Sequence, residues 1–407
     1  MTRSILVGEV RTGRRITQIP VSGASWADQY KAAGEITVTL PLDAAEFSRI
    51  ERTYVGGLYP GPGVFPSDHT FPQAATPIWR PGDGLRPELL AALEPGRCFL
   101  AVLDGDTVRQ WGPIWTHDYA NGKLQVKAGG FPSLFDHRLV MGVIAGTSWA
   151  QWQVTYSGLS LGTIAKRLVQ LAMSHTGGSL PIVLPSDAAG VHERTYKGHE
   201  LATIATRLEQ ISGVIGGPDV RFEPRLTADL MGVEAVMRVG TEANPLVHQA
   251  GGDHVWDASA VRGVVGDVSV SVDATRLAGR SWATGSGMDE ALLMARADDP
   301  ALTDAGFPLL EFQEAHGTVS EPGTLQDWAA GNLAATRRPW QTWKIRVLAS
   351  SLGGARAGDF ARVHIPTDHR YLSLLATTGS QRARILTITG SLDSEFVDIV
   401  FAPTQGV

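Results

Sequence analysis

The stretch from Pro95 to Gly130 limits the fold of this chain more than any other. It holds three short runs of β type: Arg97–Leu103, apolar and nearly continuous; Gly112–His117, carrying Ile114 and Trp115; and Lys123–Ala128, alternating through Leu124 and Val126. Asp104-Gly105-Asp106 and Asn121-Gly122 separate them. The central residues of such turns tolerate positive φ, so they close hairpins. A compact antiparallel meander is the fold these spacings predict.

The flanking chain has the same character. Gly34–Leu40 alternates Ile36, Val38 and Leu40 with Glu35, Thr37 and Thr39, and Ile5–Val10 and Ile16–Pro20 are shorter β runs. The period then changes. Ser160–Met173 places Leu161, Ile164, Ala165, Leu168 and Leu171 on one helical face, with Ser160 or Thr163 as cap. Gly198–Val214 repeats that pattern. Strands follow at Asp219–Glu223 and Val233–Val239, so residues 146–250 read as an α+β domain with two helices. Gly266–Asp273 alternates, with Arg280–Thr284 as its expected partner. No stable period runs through Ala291–Glu314. A helix is expected over Thr324–Thr336, with Thr324 as cap, and closing strands over Trp343–Ala349, Asp359–Ile365, Ala383–Thr389 and Glu395–Phe401.

Between Tyr54 and Pro87 seven prolines and six glycines exclude a regular helix or a central strand. Tyr59, Phe65, Phe71 and Trp79 are too many aromatics for a plain linker. The expectation is an ordered arm that packs on another surface, with a mobile loop as the alternative.

An internal echo links the two ends. Gly96–Leu103 aligns with Gly358–Ile365, Ile114-Trp115-Thr116 with Ile385-Leu386-Thr387, and Leu124 and Val126 with Val397 and Ile399. Ile36-Thr37-Val38 has a counterpart in Ile345-Arg346-Val347.

Composition excludes several function classes. A net charge of −6 does not suit a nucleic-acid binder that works through a basic surface. The single cysteine, Cys98, excludes an intrachain disulfide framework and any cysteine-rich zinc site. The N-terminus lacks the apolar region of a signal peptide, no run approaches a membrane span, and the expectation is a protein made in a cytoplasm without membrane insertion. No P-loop, HExxH or GxSxG is present. The His248–His254 run brings two histidines and an aspartate together without a third ligand of clear geometry, and reads as a polar loop. No catalytic, metal or cofactor residue is therefore assigned.

Ile19-Pro20-Val21-Ser22-Gly23-Ala24-Ser25-Trp26, Gly34–Leu42, Pro95-Gly96-Arg97 and Gly112-Pro113-Ile114 resemble the opening of minor tail proteins from siphophages of actinobacteria. Ile164–Val169 and Arg194-Thr195-Tyr196 extend the likeness, and the arm at 54–87 departs from it. That family is similar to the baseplate hub and tail-associated-lysozyme N-terminal proteins. The resemblance implies a mainly β fold with α+β insertions: two tube-like antiparallel β-barrels, at 1–145 and 338–407, plus smaller α+β domains at 146–250 and a connecting segment at 251–337. It also implies a homotrimer whose six barrels continue a six-fold tail tube. Its partners would be the distal tail protein ring, the C-terminus of the tape-measure protein and other minor tail proteins. Longer members carry a further domain, whereas no lytic or glycan-binding segment follows residue 407, so the expected role is structural and not enzymatic. A host-receptor or glycan-binding tail-tip protein is the alternative.

On that reading the virion tail tip is the location, and DNA passes the axis on ejection without specific binding. Asp104, Asp106, Asp393 and Glu395 are the expected lumen residues, because an acidic lining would not hold phosphates. Tyr59, Phe65, Phe71, Trp79, Arg382 and Arg384 are the expected assembly contacts, with the two arginines facing a neighbouring subunit or a carboxylate.

Overall fold

The computed structural model describes residues 3–19, 21–41, 87–143, 146, 148–214, 216–260, 263–366, 379–402 and 404–405. The chain divides into two compact units. The first comprises 1–253, 348–360 and 385–398; the second comprises 254–347, 361–384 and 399–407. The architecture is mainly β, with α+β insertions.

The first unit begins with β1 (Arg3–Glu9), β2 (Arg15–Ile19), β3 (Gly23–Gln29) and β4 (Glu35–Pro41). A short helix, α1 (Pro87–Ala92), leads into the meander of β5 (Cys98–Asp104), β6 (Thr107–Ala120) and β7 (Lys123–Gly129). These strands pair in the order β2-β1-β5-β6-β7-β4-β3. The expected meander is present, but β6 is twice the anticipated length. Its Thr107–Pro113 half pairs with β5 and its Ile114–Ala120 half with β7, and the register shifts between Ile114 and Thr116. β5 is buried along its whole length, which explains a continuous apolar run where alternation would mark a solvated face.

The α+β insertion follows. It contains β8 (Gln153–Leu159), α2 (Leu161–Met173), β9 (Ile182–Val183), β10 (Ala189–Lys197), α3 (Ile204–Gly213), β11 (Val220–Leu226) and β12 (Val233–Val239). Ser160 caps α2 as expected, its Oγ accepting from the Thr163 amide at 3.1 Å. Thr203 does the same for α3 through Thr206, so that helix starts later than its apolar pattern predicts. Ile164, Leu168 and Val169 pack with Ile204, Leu208, Val233 and Met237 in a core that also takes in Leu6, Phe99, Trp111 and Phe131. The insertion and the first sheet thus share one interior. Trp111 stacks on Phe131 at 4.7 Å and meets Phe99 edge-on at 5.2 Å.

The second unit holds β13 (His254–Asp257), β14 (Val265–Asp273), β15 (Arg280–Thr284), β16 (Met294–Asp298), α4 (Ala301–Asp304), β17 (Glu311–Ala315), α5 (Pro322–Thr336), β18 (Trp340–Leu348) and β19 (Phe360–Ile365). The chain closes with β20 (Gly379–Ser391), β21 (Phe396–Phe401) and β22 (Thr404–Gln405). The expected β14–β15 pairing does not occur. β14 pairs with β18, while β15 lies between β16 and β17 in a separate small sheet covered by α5 through Leu325 and Ala329. β17 runs parallel to β15, a non-local pairing that the aperiodic Ala291–Glu314 stretch did not reveal. The α5 cap is Glu321, not Thr324, because Pro322 supplies the first helical turn.

A second set of strands pairs in the order β14-β18-β21-β20-β19-β13, matching β3-β4-β7-β6-β5-β1. One member departs: β13 is parallel to β19, whereas β1 is antiparallel to β5. Residues 387–391 of β20, counted with the first unit, pair with β3.

Candidate assembly surface and its buried ion pairs

Of the four expected lumen residues, the structure leaves three exposed and draws one inward. Asp106, Asp393 and Glu395 are exposed. Asp104 is 6% exposed, and its Oδ2 accepts from Arg109 Nη2 at 3.0 Å and Nε at 3.3 Å. The two-residue turn after Asp104 returns β6 beside β5, which sets Arg109 next to that carboxylate. Arg109 follows Val108 within an apolar strand, and a charge in that context is the one signal of burial the sequence carried.

The acidic turns come to the same end of the first unit through Arg3. Its Nη1 donates to the carbonyl oxygens of Ser391 and Ser394, the latter at 2.6 Å. Burial lowers the Arg3 pKa, Asp104 opposes that shift, and Arg109 adds to it. One buried carboxylate therefore sits between two guanidiniums, while the exposed carboxylates of the 104–106 and 393–395 turns carry the surface charge.

Arg382 is exposed and Arg384 half-buried, both on β20, and both take part in interactions within the chain. Tyr59, Phe65, Phe71 and Trp79 lie outside the described residues.

A second ionic cluster, not anticipated from sequence, joins β3, β11 and the 356–359 turn. Arg221 Nη2 donates to Asp359 Oδ1 and to the Ala357 carbonyl, both at 2.9 Å. Asp359 Oδ2 accepts from the Arg356 amide at 2.9 Å, and Asp28 Oδ2 accepts from the Ala357 amide at 2.9 Å. Burial raises the Asp28 pKa, against the pull of that amide, Arg356 and Arg221. Tyr30 donates its hydroxyl to Asp219. Asp28, Tyr30, Arg221 and Arg356 border a cavity of about 540 Å³ whose apolar wall is Trp111, Phe131, Phe135 and Phe222.

Within the first unit, His248 and Gln249 of the His248–His254 run have structural roles. The His248 ring stacks on Phe360 at 4.8 Å, and the Gln249 side chain brackets the Phe360 backbone with bonds of 2.8 and 3.0 Å. Among the described residues no group of three His, Cys, Asp or Glu side chains is placed to hold a metal ion. No described helix is long and apolar enough to cross a membrane.

The echo has an atomic counterpart. Gly96 and Gly358 both adopt positive φ, +76° and +92°. The Gly96 amide donates to the Ile114 carbonyl at 2.7 Å, and the Gly358 amide donates to the Ile385 carbonyl at 2.7 Å. These are the positions the sequence alignment pairs.

The whole chain is similar to two solved structures. The 43 kDa tail protein of prophage MuSo2 from Shewanella oneidensis matches with a TM-score of 0.54 at 9% identity, over 98% of this chain and 98% of that one. The tail protein from Neisseria meningitidis MC58 matches with a TM-score of 0.52 at 14% identity, over 99% and 97%. These two tail proteins share the fold of this chain. No family model matches the sequence, and no curated protein does. At these identities the likeness rests on topology alone, and within the tail-protein fold it covers the α+β insertion as well as both β units.

Proposed function

We propose that the chain is a structural, non-enzymatic hub of a phage tail tip, of the kind its sequence resembles in siphophages of actinobacteria. Three copies form a ring of six barrels that ends the tail tube. The ring meets the distal tail protein, anchors the C-terminus of the tape-measure protein and other tip proteins, and is assembled in the host cytoplasm. The observation that carries this reading is the doubled strand order, with the same glycine-to-isoleucine hydrogen bond at the same place in each half. A chain that contains one module twice converts three-fold into six-fold symmetry, which is what a three-fold part needs to meet a six-fold tube. The likeness to tail proteins over nearly the whole chain supports it. The exposed carboxylates at 106, 393 and 395 suit a pore that DNA must traverse without being held, with the 54–87 arm and Arg382 and Arg384 as contacts to neighbours.

Light scattering or native mass spectrometry on the purified chain tests the reading. A trimer, three times the 43.5 kDa chain mass, is expected. A monomer or an even-numbered assembly at all concentrations refutes it.

A further inference from the structure

The two strand sets differ in one respect that matters for assembly. In the second set, the far half of β20 has a partner on the edge it does not share with β21: residues Thr387–Ser391 pair with Gln29–Ser25 of β3. The corresponding half of β6, Thr116–Ala120, pairs with β7 on one edge. Among the described residues its other edge pairs with no strand. The counterpart of β3 in the second set is β14, which pairs with β18 on one edge and, among the described residues, with nothing on the other. Each chain thus holds one completed junction, β20 with β3, and both halves of a second, β6 and β14.

We infer that β6 of one chain takes β14 of the next chain as an added antiparallel strand, with Tyr119 opposite Val268, and that this pairing is the seam between subunits of the ring proposed above. The register follows from the observed strand pairs and the internal alignment of the two strand sets. Trp26 is opposite Ile36 and Val268 is opposite Ile345, so the alignment of Ile36 with Ile345 carries Trp26 onto Val268. Gly390 is opposite Trp26, and the alignment of Ile385 with Ile114 carries Gly390 onto Tyr119. Asp118 then lies opposite Ser269, as Thr389 lies opposite Ala27.

Three local features agree with this register. The Val268 amide donates to the adjacent Asp267 Oδ1 at 2.8 Å, a local cap on an edge strand. Even-numbered β3 residues face β20 in the completed junction, since the Tyr30 amide donates to Leu386 O and Ala24 O accepts from the Leu392 amide. Val268 is their image and has the same facing. Finally, side-chain sizes exchange across the seam. Gly390 leaves room for Trp26, as a Cβ there would lie 2.8 Å from the indole, whereas Tyr119, 68% exposed, would sit over the smaller Val268. Added-strand recognition draws its affinity from main-chain bonds, and the alternating side chains fix the register.

Asp118 and Ser269 would form a pair that exchanges no ladder bonds, with Cα atoms about 4.5 Å apart, within the reach of a disulfide. Asp118→Cys and Ser269→Cys are made on separate chains, mixed and oxidised. A crosslinked dimer that disappears on reduction is expected, in at least tenfold excess over the shifted combination of Asp118→Cys with Ser271→Cys. Val270→Pro is the second arm. The Val270 amide faces the same open edge, so proline there removes no bond to β18. This variant should melt like the parent chain yet assemble about tenfold or more weakly. A trimer by mass that fails to crosslink at 118–269, crosslinks equally at 118–271, or tolerates Val270→Pro overturns the seam and leaves the ring standing. A parent chain that is monomeric removes both.

Discussion

Arg221 offers the sharpest test of how the first unit is held together. Its side chain is 6% exposed and that of its partner Asp359 is 4% exposed. Arg221→Met keeps most of the buried volume and removes the charge. Asp359 then keeps the bond from the Arg356 amide but loses the guanidinium 2.9 Å from its Oδ1. Breaking a buried pair on one side costs about 3–5 kcal/mol, because the remaining charge stays desolvated. Glu223 adds little to that cost, since Arg238 holds it independently at 3.1 Å. Adding Asp359→Asn should recover most of the loss, leaving the double variant within about 1 kcal/mol of the parent, as neutral replacements of buried pairs often do. The coupling, the two single losses less that of the double variant, is therefore at least about 2–4 kcal/mol. Urea unfolding at pH 7 measures all four corners of the cycle, with an unchanged slope as the check that the unfolded state is the same. Two outcomes would refute the argument: a single variant within about 1 kcal/mol of the parent, or losses that simply add.

Gly96→Ala and Gly358→Ala probe the repeat. Both require positive φ and should each lose about 1–2 kcal/mol on that account, but a Cβ at Gly358 also lands 3.0 Å from Tyr30 and 3.1 Å from Arg221, so its melting temperature should fall further; equal losses would contradict the packing described. Asp28 has a folded-state pKa raised by burial, so the folded protein binds more protons than the unfolded chain above the ordinary value of 3.8. Stability relative to Asp28→Asn should therefore decline as pH rises from 3.8 through the folded-state value, and a rise over that window in denaturant titrations would contradict the sign.

The sequence made the meander legible because its turns and its period point the same way. Gly105 and Gly122 both adopt positive φ at the expected turns. Helix α2 was legible for the same reason, since cap and apolar face agree. The small sheet of β15, β16 and β17 was not. Its strands are five residues each and half-exposed, and β17 finds β15 across an intervening helix, so local signals do not encode the pairing. At the acidic turns, exposure alone was legible, and only in part. Asp106, Asp393 and Glu395 have the exposure their turn positions suggest, but Asp104 carries the same dipeptide signature and is buried, because its fate depends on Arg109 across the hairpin. The Arg221 cluster was invisible for a stronger reason: its members come from segments more than a hundred residues apart.

The bonds of Arg3 span 388 positions of sequence to reach Ser391, and β3 completes its sheet on residues of β20. A ribosome that adds about 5–20 residues per second needs roughly 20–80 s to travel that distance. Throughout that interval the nascent chain presents β3 with one edge unfilled, beside an interior that is otherwise able to close. β20 acts as a clasp, so the first unit reaches its final form only once residue 391 has been made. A chain released before residue 391 would keep that edge open, and an unpaired strand edge is a template for association with other chains.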